Sequence, residues 1–378
     1  MRYELPSHER WGDLHGKRVL VRVDFNVPFA VIEGRRTLSD DFRIRAAIPL
    51  FENLLSRGAS VVACTHFGRP KGYDPELSVE PVRERLNELC PGVELMENLR
   101  FDAREVANDP VFGAWLVEGV DYYINEAFGI SHRAHASIMI PPTLVPSAAG
   151  PNLRREVETL LSVLENPVRP FVAIVGGAKV ADKLGIVRVL AEKADTVIVG
   201  GAMAYTFEKT QGRSIGSSLF DARYLHECEI LLKGGNVLIP ADTRGLADST
   251  AFGACGGEDP VIDFGADIPD GYEGLDIGPK AIARFEEAIA TAATILWNGP
   301  MGVFEDERFR TGTSAIALAV AGSGATSVVG GGDSVAAIQM FGLEDRVSYV
   351  STGGGASLEL IEFGDLVGLK ALRDGMQA

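Results

Sequence analysis

Residues 171–185, FVAIVGGAKVADKLG, combine an apolar run, a double glycine and two lysines. The stretch opens with the apolar run, Phe171 to Val175, which predicts a strand buried on both faces of a parallel sheet. Gly176 and Gly177 then predict a tight turn, and the apolar residues after them recur with the spacing of a helix. This arrangement suits polyphosphate binding, because the turn and the start of the helix present backbone N–H groups to an anion.

Two lysines add positive charge to this turn. Lys179 and Lys183 are four residues apart, so we expect them on one face of the helix. An ordinary βα unit with two solvated lysines would show the same pattern, and the stretch alone leaves both interpretations open. The motifs GxxxxGK[ST] and GxGxxG do not occur in the sequence, which argues against a P-loop and against an ordinary dinucleotide fold.

Length and charge limit the class of protein. A chain of 378 residues with 46% hydrophobic residues is expected to form two domains, each with its own core. The net charge of −16 argues against a nucleic-acid partner or an anionic membrane surface. The four cysteines, Cys64, Cys90, Cys228 and Cys255, form no CxxC pair, which favours reduced thiols, a cytoplasmic location and no structural metal.

No stretch of the sequence predicts secretion or membrane insertion. The opening residues MRYELPSHERW lack the pattern of a secretory signal. The most apolar segment, Ser314 to Gly332, is interrupted by glycines and predicts a buried helix, a turn and a strand instead of a membrane span.

Apolar β-branched runs alternate with stretches of helical period along the whole chain, which predicts an α/β fold with one parallel sheet in each domain. The proline-rich segment Pro141 to Pro151 marks a boundary, and the residues after it predict a connecting helix. The expected domains are therefore residues 1–150 and a second domain that begins with this helix at residue 151.

Basic and polar side chains come after the predicted strands of the first domain. They are Asp24, Asn26, Arg43, His66, Arg69, Arg100, His132, Arg133 and His135. Loops at the carboxyl ends of parallel strands converge, so the arginines are expected to form a cage for an acid that carries phosphate and carboxylate groups. Independent surface charges are the alternative. We favour His132 and His135 as supports for Arg133 over a catalytic role.

Glycine-rich loops with acidic residues come after two predicted strands of the second domain. One loop contains Asn298 and Glu305, and the other contains Gly330 to Gly332, Asp333 and Ser334. Asp333 could bind Mg²⁺ that bridges phosphates, or it could simply be a helix N-cap. Glu305 could receive ribose hydroxyls. The loop VSTGGGASLE, residues 350–359, repeats the glycine-rich design.

The sequence resembles the phosphoglycerate kinase family. The matching segments include RVLVRVDFNVP, THFGRPKG, ENLRF, AFGISHRAHAS, GGAKVADKL, LWNGPMGVFE, VVGGGDSVAAI and STGGGASLELIE, which keep the family's order over nearly the whole chain. The resemblance implies two doubly wound, Rossmann-like parallel-sheet domains joined by a helix, with 3-phosphoglycerate in residues 1–150 and MgATP or MgADP in residues 151–350. It also implies that residues 351–378 return to the first domain.

The resemblance assigns roles to individual residues. It places the acid-substrate pocket at Asp24, Asn26, Arg43, His66, Arg69, Arg100 and Arg133, and the nucleotide pocket at Gly177, Lys183, Asn298, Glu305, Gly331, Gly332, Asp333 and Ser334, with Asp333 on Mg²⁺. It implies that Arg43, Lys179 and backbone N–H groups around Gly354 flank the transferring phosphoryl group. The chain departs from the family's usual pattern at Glu126, where Asp is usual, at Ala202, where glycine is common, and in a short stretch between Phe101 and Tyr122.

The resulting prediction is a monomeric kinase of glycolysis and gluconeogenesis. It transfers a phosphoryl group reversibly between 1,3-bisphosphoglycerate with ADP and 3-phosphoglycerate with ATP, and a hinge motion brings its domains together. An NAD-dependent oxidoreductase would need the missing GxGxxG turn. A non-catalytic nucleotide-binding protein would be expected to lack Lys179, Arg43 or Asp333, and all three residues are present.

Overall fold

The computed structural model describes residues 4–32, 35–247 and 260–376. These residues pack into two compact units. One comprises the residues up to Glu158 together with those from Phe363 onward, and the other comprises Thr159–Glu362. These unit limits differ from the domain limits expected from the sequence, 150/151 and 350/351. Those domain limits remain predictions.

A five-stranded parallel sheet forms the centre of the first unit, with the strand order β5-β4-β1-β6-β7. Its strands are β1 Arg18–Arg22, β4 Ser60–Cys64, β5 Val93–Leu95, β6 Tyr122–Asn125 and β7 Ser147–Ala149, and an antiparallel hairpin joins β2 Phe29–Ile32 to β3 Arg35–Leu38. The chain builds outward from β1 to β4 and β5 and then returns to the other side of β1. In a doubly wound sheet this reversal lies beside the ligand-binding crevice, here after β1 and β6.

Helices cover the sheet of the first unit. They are α1 Phe42–Ser56, α2 Glu80–Leu89, α3 Ala103–Val106, α4 Pro110–Leu116, α5 Ala136–Met139, α6 Pro141–Leu144 and, from the end of the chain, α15 Val367–Asp374. The buried residues Ile44, Phe51 and Leu54 of α1 recur at helical spacing and pack with Val19 and Val21 of β1 in one core. This core fixes where α1 begins, and with it the position of Arg43.

The second unit contains a six-stranded parallel sheet with the order β10-β9-β8-β14-β15-β16. Its strands are β8 Phe171–Val175, β9 Thr196–Val199, β10 Val237–Leu238, β14 Thr294–Asn298, β15 Thr326–Gly330 and β16 Tyr349–Val350. All of β8 is buried, as the apolar run predicts. The strand order reverses at β8 and β14, which places the glycine-rich loops after both strands at the expected crevice. The predicted class, two doubly wound α/β domains joined by a helix, is confirmed.

A smaller antiparallel sheet, which the sequence pattern did not predict, also belongs to the second unit. Its order is β12-β11-β13, with β11 Thr243–Ala247, β12 Ile262–Phe264 and β13 Tyr272–Ile277. The helices of this unit are α8 Leu184–Lys193, α9 Ala204–Thr210, α10 Leu225–Lys233, α11 Pro279–Ala290, α12 Thr311–Gly322, α13 Gly332–Met340 and α14 Gly355–Phe363.

The turn after β8 differs from the expectation. Val180–Asp182 form a short 3₁₀ helix, and α8 begins only at Leu184. Lys179 is the N-cap of the 3₁₀ helix, and Lys183 has φ −130° and ψ −6°, outside the α-helical region. The two lysines therefore do not share the face of one continuous helix, and that expectation was wrong.

The connecting helix, α7 Pro151–Glu165, runs from the first unit into the second. The apolar segment that begins at Ser314 folds as a buried helix, a turn and a strand, as predicted. Within the described ranges, no helix combines the length and the apolar character needed to cross a bilayer. Cys64, Cys90 and Cys228 are free and buried, whereas Cys255 lies outside the described residues.

Candidate functional site

The carboxyl ends of β1 and β4 bring an acid, an arginine and a histidine together in the first unit. Asp24 is the second residue after β1, and its Oδ2 accepts a hydrogen bond from Arg43 Nη1 at 2.6 Å. The other oxygen, Oδ1, lies 3.8 Å from Nδ1 of His66, which comes just after β4. Asp24 and His66 therefore lie at neighbouring strand ends, with Arg43 supplied by the first turn of α1.

The loop around Gly68 holds further predicted residues in place. Arg100 Nη1 donates to the carbonyl oxygen of Gly68 at 2.6 Å, and Asn26 Oδ1 accepts from the N–H of Gly68 at 3.0 Å. Gly68 has a φ of +59°, and a Cβ there would lie 2.9 Å from Leu77, so only glycine fits without strain. The exposed Arg69 is the next residue. Burial is the main cause that lowers the pKa of Arg100, and the positive charges of Arg22 and, less strongly, Arg69 lower it further.

Four buried polar atoms of this region have no hydrogen-bond partner among the described residues: Asp24 Oδ1, Arg100 Nε, His132 Nδ1 and His135 Nδ1. Buried polar atoms are almost always paired in folded proteins, so a cluster of them indicates a place where a polar ligand or water completes the hydrogen bonds. Arg100 Nε can only donate, so an acceptor such as an oxygen of an anion would complete its hydrogen bonding.

Burial favours the neutral form of the histidines of this site. Burial, then the charge of Arg22, lowers the pKa of His66 far below its usual value. Burial, followed by the charge of Arg100, lowers the pKa of His135 to about 4, and burial and Arg133 lower that of His132. The exposed Arg133 sits between these two histidines in a tight turn in which the N–H of His135 bonds to the carbonyl of Arg133 at 2.9 Å.

A buried charged group behind these residues was missed at the level of the sequence. Arg22, the last residue of β1, is fully buried, and its Nε donates to Ser137 Oγ at 2.9 Å. The same hydroxyl donates to Glu105 Oε1 at 2.6 Å, and Glu105 is also fully buried. The only signal in the sequence is a second arginine at the end of a strand whose three middle residues are apolar.

The polyphosphate turn of the second unit is built on close backbone contacts. A Cβ at Gly176 would lie 2.0 Å from the carbonyl oxygen of Pro300, so a side chain there would force the two loops apart. Gly177 has a φ of +123°, which only glycine adopts readily. Lys183 Nζ donates to the carbonyl of Gly176 at 2.6 Å and to that of Asn298 at 3.4 Å.

Lys183 is therefore a partly buried cation that joins the loops after β8 and β14. Burial lowers its pKa to about 8, and the charges of Asp333 and Asp182 oppose this shift. Lys179 is exposed at the end of the turn.

Asn298 and Ser334 connect the loops after β14 and β15. Asn298 Nδ2 donates to the carbonyl of Gly330 at 2.9 Å, while its buried Oδ1 has no partner among the described residues. Gly331, with a φ of +92°, passes so close that a Cβ would lie 2.7 Å from Asn298 Nδ2. Ser334 Oγ accepts a hydrogen bond from the N–H of Gly299. Ser334 thus holds the loop with its hydroxyl.

Asp333 lies in the first turn of α13, but it does not cap the helix. The N-cap is Gly331, and no side chain makes a capping hydrogen bond there. The helix-cap alternative for Asp333 is therefore wrong, and its carboxylate is exposed. Glu305 is exposed as well, and the turn before α14 contains Gly354 with a φ of +53°.

These residues fit a magnesium ion that is shared with phosphates. In the described parts of the chain, no group of three or more His, Cys, Asp or Glu side chains could enclose a metal by itself. Mg²⁺ bound with a nucleotide needs only one or two carboxylates, because phosphates and waters supply its other ligands. Asp333, exposed in the first turn of α13, offers such a carboxylate.

Comparison with known proteins identifies the family. The family model described as "Phosphoglycerate kinase" matches residues 10–94 and 91–363. The chain is 47% identical to a phosphoglycerate kinase of Rubrobacter xylanophilus over 386 aligned residues, covering 95% of this chain and 96% of that protein. It is 44% identical to an Arabidopsis thaliana protein named "Phosphoglycerate kinase 3, cytosolic", over 95% of this chain and 96% of the relative.

Solved structures agree with this result. The phosphoglycerate kinase of Coxiella burnetii superposes with a TM-score of 0.87 and 36% sequence identity, covering 98% of this chain and 99% of that chain. That of Pyrococcus horikoshii superposes with a TM-score of 0.81 and 29% identity, covering 97% and 98%. The chain belongs to the phosphoglycerate kinase family, and it is therefore a kinase that transfers phosphate to a carboxyl acceptor.

Proposed function

We propose that this protein transfers a phosphoryl group reversibly between 1,3-bisphosphoglycerate with ADP and 3-phosphoglycerate with ATP, in glycolysis and gluconeogenesis. The observation that carries the proposal is the cluster of unpartnered, mostly basic buried atoms at the strand ends of the first unit, in a chain that belongs to this kinase family. An acid with both phosphate and carboxylate oxygens would satisfy such donors.

The first unit would bind the acid. Asn26 and Asp24 shape the pocket, and His66, Arg69, Arg100 and Arg133 donate hydrogen bonds to the phosphate and hydroxyl oxygens. Burial lowers the pKa values of His66 and His135, which favours neutral rings, and a neutral ring can donate one N–H to the acid. The reaction needs no general base, since the acceptor carboxylate oxygen is already anionic.

The second unit would bind the nucleotide. Gly177, Lys183, Asn298 and the start of α13, Gly331 to Ser334, would hold the phosphates with backbone N–H groups and one ammonium group. Glu305 would receive the ribose hydroxyls. Asp333 would hold Mg²⁺, which when bound with the nucleotide neutralises charge on its phosphate oxygens.

Catalysis would come from placing positive groups around the transferring phosphoryl. Arg43, Lys179 and the N–H groups around Gly354 are the proposed donors, because charge in this transition state spreads over the equatorial oxygens. In-line transfer requires the two substrates to meet, so the proposal includes a hinge motion that brings them together and excludes water. We also propose a cytoplasmic monomer.

A coupled assay tests the activity. Purified protein with 3-phosphoglycerate and MgATP should produce ADP and an acyl phosphate, and ADP formation should stop when magnesium is chelated. The Lys179→Ala variant, purified in the same way, serves as the control for contaminating kinases. Equal activity of parent and variant, or no activity of the parent, would contradict the proposal.

A further inference from the structure

The buried guanidinium of Arg22 makes three directed contacts behind the acid pocket. Nε donates to Ser137 Oγ at 2.9 Å, Nη1 donates to the carbonyl of Val23, and Nη2 lies 3.2 Å from His66 Nδ1. A guanidinium has donors and no acceptor. The contact with His66 is therefore a hydrogen bond only if Nδ1 of the imidazole accepts it.

Glu105 and Ser137 fix the orientation of this guanidinium. The two oxygens of Glu105 accept from the hydroxyl and the backbone N–H of Ser137, at 2.6 and 2.9 Å. Since the single hydroxyl proton of Ser137 points to Glu105, its oxygen is left to accept from Arg22. The carboxylate thus acts on the guanidinium through one hydroxyl, and all three side chains are fully buried.

The other groups around His66 favour the same proton position. The charged and titratable groups that influence it are Arg22, Arg100, His135 and Arg43, and burial together with these groups lowers its pKa. Asp24 is the one acid in contact, but its Oδ1 lies 3.8 Å from Nδ1, beyond hydrogen-bond distance, and its Oδ2 is bonded to Arg43. A neutral ring with an accepting Nδ1 carries its proton on Nε2.

We propose that Arg22, oriented by Glu105 through Ser137, is a positioning residue that holds the proton of His66 on Nε2, so that this ring can only donate to the bound acid. The identity of the acid rests on the proposed function, whereas the proton position does not. With His66 fixed in this way, the pocket offers donors from Arg69, Arg100, Arg133 and His66 alike, and it favours a fully ionised acid over one that keeps an acidic proton.

The ligand-free protein provides the first test. In ¹⁵N-labelled protein, two-bond ¹H–¹⁵N spectra of the histidine side chains distinguish a protonated from an unprotonated ring nitrogen, and His66→Gln assigns the His66 signal by its loss. The proposal expects neutral His66 with the proton on Nε2 from pH 5 to pH 9. A proton on Nδ1, a mixture of both forms or a charged ring would overturn it.

Two substitutions of His66 test the consequence for binding. A glutamine amide can place its N–H near the position of Nε2, and an asparagine amide can place it only near Nδ1. In calorimetric titrations with 3-phosphoglycerate, His66→Gln should stay within about a factor of three of the parent, and His66→Asn should lose about 10- to 100-fold. The reverse order would contradict the proposal, while MgATP affinity should be unchanged in both and so reports on correct folding.

The double variant Arg22→Met/Glu105→Gln tests the origin of the effect, because it removes both buried charges together and leaves neither unpaired. It should lose the fixed proton position, and its affinity for 3-phosphoglycerate should become dependent on pH between 5 and 8. A folded double variant with the parent's His66 spectrum and affinity would overturn the role of Arg22. If the double variant does not fold, the histidine spectra of the parent and the titrations of the two His66 variants test the proposal. If the parent binds no 3-phosphoglycerate, the proposed substrate fails, while the spectra still report the proton position.

Discussion

The two lysines that come after β8 have different environments. Lys183 is partly buried and donates to the carbonyls of Gly176 and Asn298, whereas Lys179 is exposed at the N-cap of the 3₁₀ helix. A partly buried lysine that joins two loops contributes to the shape of the site as well as to its charge. An exposed lysine can move with a transferring group.

This difference predicts how the two alanine variants behave. Lys179→Ala should lower kcat by about 10²–10³-fold or more with nearly unchanged MgATP affinity, because the lost interaction acts mainly in the transition state. Lys183→Ala should weaken MgATP binding as well as turnover. Steady-state kinetics with calorimetric MgATP titrations check both, and an unchanged kcat in Lys179→Ala would remove this residue from the mechanism.

The arginine cage makes a second prediction. Alanine at Arg69, Arg100 or Arg133 should weaken 3-phosphoglycerate binding by roughly 1.5–3 kcal/mol each, the range for hydrogen bonds to charged groups. MgATP affinity should barely change. Arg10→Ala, which removes an exposed ion pair with Glu4, is the matched control and should leave both affinities unchanged. Equal losses of affinity for both ligands would indicate misfolding. No loss of affinity for either ligand would show that these arginines are independent surface charges.

At the residue scale, the sequence predicts the side chains at the strand ends but not the buried charges behind them. Asp24, Arg43, His66 and Arg100 come together because parallel strands end at one edge of a sheet. Arg22 and Glu105 could not be found in this way. A buried charge is explained only by its partners, and these are 83 positions apart in the chain.

At the scale of elements, the start of α13 separates two roles for Asp333. The N-cap of α13 is Gly331, and no side-chain cap bond is present. Asp333→Asn should therefore lower the stability of the protein by at most about 0.3–1 kcal/mol, the contribution of a charge near a helix N-terminus. Its effect on magnesium should be larger, because a neutral oxygen replaces an anionic ligand. Activity measured against free Mg²⁺ should show a raised requirement, with a nearly unchanged Tm. An unchanged magnesium curve would contradict the metal role.

The start of the connecting helix α7 is held by Glu126. Its carboxylate accepts from the N–H of Asn152 at 3.1 Å and from that of Leu153 at 3.5 Å, and a Cβ on Gly150 would lie 2.0 Å from it. Burial nevertheless raises the pKa of Glu126 from 4.5 to about 8, since the hydrogen bonds only partly offset desolvation. The folded protein therefore retains a proton that the unfolded chain releases.

This proton makes stability depend on pH. Between about pH 4.5 and 8 the unfolded chain binds fewer protons than the folded one, so the contribution of Glu126 to the free energy of unfolding falls as pH rises. Relative to Glu126→Gln, the parent should lose about 1 kcal/mol or more from pH 5 to pH 8, since one pKa unit corresponds to about 1.4 kcal/mol. Urea unfolding at several pH values measures it. Glu158→Gln, an exposed site on the same helix, should show no such slope.

The helices and strands that could be predicted from the sequence are the long ones with a regular pattern of apolar residues. The buried strand β8 and the helices α1, α7 and α11 are evident from their periodic patterns. Strands β5 and β7 have three residues each and are too short for a period to show. The break before α8 also has no sequence signal, because it depends on Lys183 bonding to carbonyls of two loops.

At the scale of the molecule, the end of the chain completes the first unit. In α15, Leu369 and Leu372 are buried, and the N–H of Gly368 bonds to the carbonyl of Ser131 at 2.8 Å, next to the histidine turn of the acid pocket. The last described residue, Met376, accepts from the N–H of Ser147 in β7 at 3.1 Å. The fold of the first unit therefore depends on residues at both ends of the sequence.

Leu372→Ala should consequently destabilise the first unit by about 2–5 kcal/mol, the usual cost of emptying a buried leucine site. Affinity for 3-phosphoglycerate should fall as that unit loosens, and amide exchange should accelerate in β6 and β7 but not in β8 and β14. The exposed Lys370→Ala is the control on the same helix. Uniform acceleration over both units would contradict this division.

The outermost strands of both large sheets are short, which limits association between molecules by strand addition. The outermost strands β5, β7, β10 and β16 have only two or three residues, and segments from both chain ends, through Pro6 and Met376, bond to β7. Few backbone groups are left on which another chain could extend either sheet. Light scattering of concentrated native protein should stay flat below the unfolding temperature, because aggregation by strand addition must first open a unit.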